Sequence, residues 1–559
     1  MNAGKSAFVE SVRAGNGPAP LAAVPNPRTI AATLDETRTY LSRRDCLKVA
    51  IAGGAMGFAG GCRHAEQARK APEADAGARA EPAASALSIN RPRLRGEDFT
   101  HGHAKRDGVS FPRASRAESC EVVIIGGGPS GLCAAHLLAD RDIVLLEKES
   151  RWGGNCSTDE WEGIPYSTGA AFYSEGDTEL VELLRSVGVP GQKVHGGDSL
   201  IVGGEPYFDF FGAGANRLPF PEHVRDDFKR SFERAMHFHR HRDSDELDRL
   251  SFVDFLSPYG VELREFWQRY AASNWGGAPE HTSLRVGVQA YGWLEGTEKR
   301  LTYPGGLGVA TKALARALEP KLGSRMRQRS FVHHVETDGN EVLVHAVTDG
   351  EPSLLRAKAV ILAVPKFLAA RLVPELPDAQ REAMQGFRYS PYAVLNVCLN
   401  RRGPEPAYDN WFLDTPFADF IPADWVTYAG KGPDARKTVL TVYHPLAEPR
   451  RAELLDDARL VELSEDTVRH LTRHFPSIKE EVAEVRAFRR GHALPIPTPG
   501  QLERANVAAR SHGRILFAHS DSRGDVSSLP GALRAAKEAV HAFAAVEPRA
   551  KATARAVTG

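Results

Sequence analysis

Cysteine is scarce in this chain: six residues in 559, at positions 46, 62, 120, 133, 156 and 398, with no C-x-x-C spacing among them. That distribution speaks against a disulfide framework and against a zinc site. Net charge is absent, because 71 lysines and arginines balance 71 aspartates and glutamates. With no basic stripe interleaved with aromatics, nothing marks a nucleic-acid partner. The apolar, glycine-rich run Val49–Gly61 covers 13 residues, too short for an ordinary membrane span. Internal repeats are also lacking. The remainder, 42% hydrophobic and 25% charged, has the composition of a soluble globular enzyme with room for two or three domains.

What the chain does have is concentrated in Cys120–Leu138, which reads as a buried strand, a glycine turn and a helix. Gly126, Gly128 and Gly131 occupy the G-x-G-x-x-G positions. The first permits the tight turn, the second lets backbone approach a pyrophosphate, and the third lets the helix pack on the strand. Pro129 and Ser130 open the helix, whose free N–H groups face the phosphates. Glu147 closes the next apolar strand, Ile143–Leu146, about 20 residues beyond the first glycine, where an acid accepts hydrogen bonds from a ribose. Lys148 follows it. The pattern identifies an ADP moiety and does not separate NAD from FAD.

Five separated segments resemble the flavin-containing amine oxidoreductase superfamily of monoamine and polyamine oxidases, protoporphyrinogen oxidase and phytoene-type desaturases. They are the glycine motif, Glu147–Gly154, Tyr303–Gly308 of the form P-G-G-x-G, the pair Ser330–Val335 and Ala359–Pro365, and Arg514–Asp521 leading to Ser527–Leu533. The resemblance implies FAD lying along Arg151, Gly153 and Gly154, with the backbone near Val332 facing the adenine. It also implies that Asp521 binds the ribityl chain and that a helix opening near Ser528 to Ala532 faces the pyrimidine ring. Pro530 suits a first turn, the serines suit a cap, and Leu533, Ala536, Val540 and Phe543 repeat at helical spacing. No cysteine follows Cys398, so FAD is expected without a covalent bond.

The fold expected is α/β: a discontinuous Rossmann-like FAD-binding domain over 119–176, 300–368 and 484–548, and an α+β substrate domain over 177–299 and 369–483. Thr178–Leu184 and 456–474 read as helices, Ala393–Leu399 and Thr438–Tyr443 as strands. Ahead of these, Ser42–Lys48 with its arginine pair precedes Val49–Gly61, and together they look like a twin-arginine export signal over 1–62. Cys46 stands where phenylalanine is usual. Cys62 is a weak candidate for lipid attachment. Residues 63–118, rich in Ala, Glu, Arg, Pro and Gly, read as a tether whose last third packs on the enzyme. Export of a folded holoprotein to the periplasm suits a chain that takes up its cofactor beforehand.

The chemistry expected is hydride transfer from a small or medium organic substrate, an amine being one candidate, with electrons passing to oxygen or a respiratory carrier. Amine oxidases of the family place a lysine near the flavin. Here Asn396 or its neighbours stand in that strand, and Asn155 replaces the arginine that often follows the two glycines. These departures favour a second reading, desaturation or isomerisation of an apolar polyene or tetrapyrrole. A third is a flavin-binding protein without catalysis. His492, Tyr392 and Trp411 are the candidate catalytic residues, with Trp275, Tyr389, Trp425 and Tyr443 as further pocket candidates. His237 and His241 share a helical face, but no carboxylate motif accompanies them, and no metal is expected.

Overall fold

The computed structural model describes residues 92–240, 245–428 and 436–546. The export-signal region, Cys62, His241 and most of the expected tether lie outside these. The described chain starts with β1 (Arg93–Gly96) and the short helix α1 (Thr100–Arg106). Next come β2 (Ala117–Ile125), α2 (Pro129–Leu137) and β3 (Ile143–Leu146), the strand, turn, helix and strand expected from the glycine motif. β2 and β3 pair in parallel, Val122 opposite Ile143 through Ile125 opposite Leu146. A parallel pair needs a crossover, which α2 supplies, and its burial on both faces explains the unbroken apolar runs.

A seven-stranded sheet grows from this pair. Its order is Met326–Arg327, β3, β2, β5 (Glu351–Leu362), Glu341–Thr348 and β4 (Ser330–Asp338), with Ile515–Phe517 also pairing β5. One face packs on α2 and on α3 (Leu529–Val546), where Leu132, Ala135, Leu533, Ala536 and Phe543 share a core with Val122 and Ile124. The other face buries Val123, Ile125 and Val144 with Val335, Val344 and Val360. The fold is α/β.

An eight-stranded sheet forms the second layer system. β6 (Tyr389–Leu399) lies inside it between β7 (Val482–Pro495) and Thr438–Pro445, followed by Asp419–Pro422, Asp409–Phe412, Asp198–Val202 and Glu205–Phe208. Every residue of β6 is buried, and its alternation separates two environments. Ala393, Leu395 and Val397 pack with Leu460, Val468 and Leu471 of the helix Asp457–His474. Tyr392 and Val394 face the other way, with Phe488 and Ala493. The helices Glu222–His239, Val261–Trp275 and Leu284–Glu295 close around an aromatic core in which Trp267 and Tyr291 lie 4.2 Å apart.

Two boundaries differ from the sequence expectation. β7 opens the block assigned to the cofactor domain from 484 onward, yet it belongs to the eight-stranded sheet, between β6 and β1. Within the expected tether, β1 is an edge strand of that same sheet, in parallel register from Arg93 opposite Arg486 to Gly96 opposite Arg489. Both departures have one cause: strand pairing is set by partners distant in sequence, which local composition does not report. Among the described residues no helix is long and apolar enough to cross a membrane.

Candidate functional site

A cavity of about 780 Å³ runs between the two sheets. At one end it is lined by the glycine turn. Gly126 has φ +107°, and a Cβ there would meet the carbonyl oxygen of Ala363 at 2.6 Å. A Cβ on Gly131 would meet the Gly126 carbonyl oxygen at 1.8 Å, so this glycine serves helix-to-strand contact and does not line the cavity. Gly128 is the N-cap of α2 and Pro129 its first residue, leaving N–H groups of the first turn for an anion. Gly154 approaches Gly128 closely: a Cβ on Gly154 would lie 3.1 Å from the Gly128 Cα. Side chains on either glycine would fill the cradle that an extended diphosphate needs.

Glu147 lines the cavity, buried, and accepts hydrogen bonds from the backbone N–H of Gly127 (2.6 Å) and of Glu149 (2.8 Å). Burial raises its carboxyl above the ordinary value, while those two donors and Lys148 oppose the rise. Ser130, Lys148, Arg151 and Val332 line the same wall. Gly153, at φ +119°, stands behind it: a Cβ there would lie 2.5 Å from the Cys156 carbonyl oxygen.

At the other end α3 begins. Ser528 caps it, its hydroxyl accepting from the Gly531 N–H at 3.1 Å, and Ser528, Leu529 and Ala532 line the cavity. Asp521 does not, in contrast to the sequence expectation. Its carboxylate turns into the protein, where Lys366 Nζ donates to it at 2.7 Å, the Lys366 N–H at 2.9 Å and the Tyr389 hydroxyl at 2.6 Å. His519 Nδ1 lies 3.0 Å from it. Burial works against its ionisation, but His519 and Lys366 hold it well below the usual carboxylate range. Its neighbour Ser520 lines the cavity instead, beside Ser527 at 2.7 Å. Residues 520 to 523 form one tight 3₁₀ turn, so adjacent side chains leave it in different directions. The buried Lys366 and Asp521 pair carried no sequence signal, because 155 residues separate its members.

The wall between these ends is built by Asn155, Cys156, Ala170, Phe488, Arg490 and His492. Asn155 donates to the Ala493 carbonyl at 2.5 Å and accepts from Arg490 Nη1 at 2.9 Å. A guanidinium is therefore present beside position 155, delivered by β7. Arg490 also donates to the Ser157 hydroxyl and the Thr168 carbonyl, and with Arg151 it stacks on Phe488 at 4.7 and 4.6 Å. No local pattern singled it out, because its partner Asn155 lies 335 residues away. Burial pushes the Cys156 thiol up to about 12, so it stays protonated. The four described cysteines are all buried and free.

Of the candidate catalytic residues, only His492 reaches the cavity. Its ring packs on Phe367 at 4.5 Å and on Tyr389 at 6.3 Å. Burial, with Arg451 nearby, lowers its pKa to about 4, so at neutral pH the imidazole is uncharged and can both donate and accept a hydrogen bond. Tyr392 lies behind the wall, its hydroxyl 3.0 Å from the Ser273 hydroxyl, which donates to Asp419 at 2.6 Å. Trp411 is fully buried against Tyr270 at 4.7 Å. Large aromatics bury more area than any other side chains, and here that packing role prevails. Trp275 and Trp425 likewise stand away from the cavity, their indole N–H groups bonded to Thr282 and to the His195 carbonyl. Tyr389 lines it. Asn396 is fixed within the second sheet by the Thr441 hydroxyl at 2.8 Å. Among the described residues no group of three or more His, Cys, Asp or Glu is arranged to hold a metal.

Residues 129–542 match the flavin-containing amine oxidoreductase family. Over 518 residues the chain is 23% identical to oxidoreductase PigB of Serratia sp. (strain ATCC 39006), covering 77% of this chain and 76% of that protein. It is 27% identical to probable polyamine oxidase 4 of Arabidopsis thaliana over 279 residues, 47% of this chain and 55% of the relative. Wild-type putrescine oxidase bound to putrescine superposes with a TM-score of 0.60 at 18% identity, over 77% of this chain and 100% of that one. The glycine cradle, the buried acid at 147 and the capped helix facing the same cavity fit FAD, which supplies a hydride acceptor when bound. The chain is an FAD-dependent oxidoreductase of the flavin-containing amine oxidoreductase family.

Proposed function

We propose that the protein removes a hydride from a small organic amine onto a flavin held without a covalent bond, and passes the electrons to oxygen or a respiratory carrier. The observation that carries the amine reading is the charge behind the cavity wall. Asp198, Asp409 and Asp419 are buried together around Arg300, which holds Asp198 in a two-pronged pair at 2.6 and 2.7 Å. Burial and mutual repulsion raise the Asp409 carboxyl, and burial first of all raises that of Asp419. Arg300 offsets Asp198, so the negative charge that would favour a cation here is the ionised share of the Asp409 and Asp419 pair, which a neighbouring ammonium would increase. Ser273, Tyr392 and Tyr443 lead from Asp419 toward the cavity, the Tyr443 hydroxyl donating at 2.9 Å to the carbonyl of Gly169, the residue before cavity-lining Ala170. His492 presents an uncharged imidazole to the cavity, where it can orient a polar group of the substrate.

A second reading, desaturation or isomerisation of an apolar polyene or tetrapyrrole, is supported by the absence of lysine from β6 and by the apolar group Val394, Phe488 and Ala493. Anaerobic mixing of the holoprotein with amines, amino acids and polyenes separates the readings. Bleaching of the flavin band by amines is the expected result; bleaching by polyenes alone selects the second reading, and no bleaching by any of them selects a binding protein. Acid precipitation should leave the flavin in solution, whereas flavin pelleting with the protein would contradict non-covalent binding.

Export rests on Ser42–Gly61. Arg43 and Arg44 direct the folded holoprotein through the twin-arginine route. Replacing both with lysine should retain the protein in the cytoplasm on fractionation, and unchanged fractionation would remove the proposal.

A further inference from the structure

We infer that the segment Arg93–Arg113 is a cofactor clasp, a part of the chain outside the family match that ties the two sheets together across the cavity and sets how fast FAD leaves. The inference rests on the FAD reading. One end of the segment is fastened to the eight-stranded sheet through β1 and β7. Gly96 fits there because it has no side chain: a Cβ would meet Arg489 Cγ at 2.4 Å and the Arg489 carbonyl oxygen at 2.8 Å. From that point the chain crosses to the seven-stranded sheet.

The crossing is held by polar contacts to the loop that follows the ribose acid. The Asp98 N–H donates to Glu149 Oε1 at 3.0 Å, and Lys148 Nζ donates to the Asp98 carbonyl at 3.0 Å. Glu97 pairs with Arg490 at 3.5 Å. Within α1 and beyond it the segment is fastened again by rings on β4, the strand that carries Val332. His101 stacks on Phe331 at 5.3 Å, and Phe111 stacks on His333 at 5.1 Å with an interplanar angle of 18°.

Between these two attachments Glu97, Asp98, Phe99, His103 and Lys105 line the cavity opposite the glycine turn and Glu147. A ligand lying on the glycine turn is therefore walled in by a segment attached at both ends to other elements, and the segment must lift for the ligand to escape. Loss of either attachment lowers the cost of lifting while leaving the glycine turn and α3 intact. The family match starts at residue 129, so the segment lies outside it.

The test uses full-length holoenzyme carrying Phe111→Ala or Gly96→Val. Flavin release is followed by the rise in free-flavin fluorescence on dilution. Phe111→Ala should release flavin at least about fivefold faster, as expected for the loss of a ring contact on the clasp. Its flavin-free melting temperature should match that of the unsubstituted protein, which separates a clasp from general destabilisation. Gly96→Val should release faster still; if it fails to fold, Phe111→Ala decides alone. Release at the unsubstituted rate from Phe111→Ala overturns the clasp. Unsubstituted protein that never retains FAD overturns the cofactor reading instead, so the two failures are distinguishable.

Discussion

Glu147 shows how much one side chain can carry at this site. Its carboxylate organises two backbone N–H groups of its own loop and of the glycine turn, and presents what remains of its acceptor capacity to the cavity. Glu147→Ala removes the ribose acceptor and leaves both donors unsatisfied, a loss of roughly 1–3 kcal/mol per buried group. The expected outcome is a markedly lower flavin-to-protein ratio after gel filtration, and a fully yellow variant would count against the assignment. This residue was legible from its distance to Gly126. Asp521 and Ser520 show where legibility stops: spacing located the turn, but the choice between two adjacent side chains depended on Lys366 arriving from another part of the chain. The same holds for Arg490, whose guanidinium reaches Asn155 across 335 residues.

At the scale of elements, α3 and β7 make the contrast. The helix was readable because Leu533, Ala536 and Phe543 repeat on one face, and those residues do form its buried stripe. Its cap is a local hydrogen bond from the Gly531 N–H to Ser528. Ser528→Ala should therefore cost about 1 kcal/mol in stability, read as a lower urea midpoint with an unchanged slope; an unchanged midpoint would show that the cap contributes nothing. β7 was not read as a strand, and its membership of the second sheet is decided by backbone pairing with β6 and β1. The aromatic candidates belong here too. Tyr392 and Trp411 were candidates as aromatics alone, and only the tertiary structure shows that their rings point behind the cavity wall.

The whole molecule buries several neutral imidazoles, and these contribute to its response to acid. Burial lowers the pKa of His444 to about 3 and those of His333 and His492 to about 4, helped by nearby cations or histidines in each case. The ordinary value is 6.5. Between these limits the unfolded chain binds protons that the folded one refuses, so stability is full above about pH 6.5 and falls as pH drops toward about 4. Raised buried carboxyls such as Asp419 oppose this slope, so the check is the imidazole resonances themselves: by NMR these three rings should remain neutral down to about pH 5, and their titration near pH 6.5 would contradict their burial as neutral groups.

By itself the sequence determined the strand, glycine turn and helix, the acid that follows them, and the capped closing helix, because each depends on backbone sterics and side-chain periodicity within a short stretch. The tertiary structure decided which groups face the cavity, which carboxylate is neutralised inside the protein, and that residues 93–113 wall the cofactor in. Those outcomes follow from contacts between segments hundreds of residues apart, where burial and pairing fix direction and charge in ways no local pattern encodes.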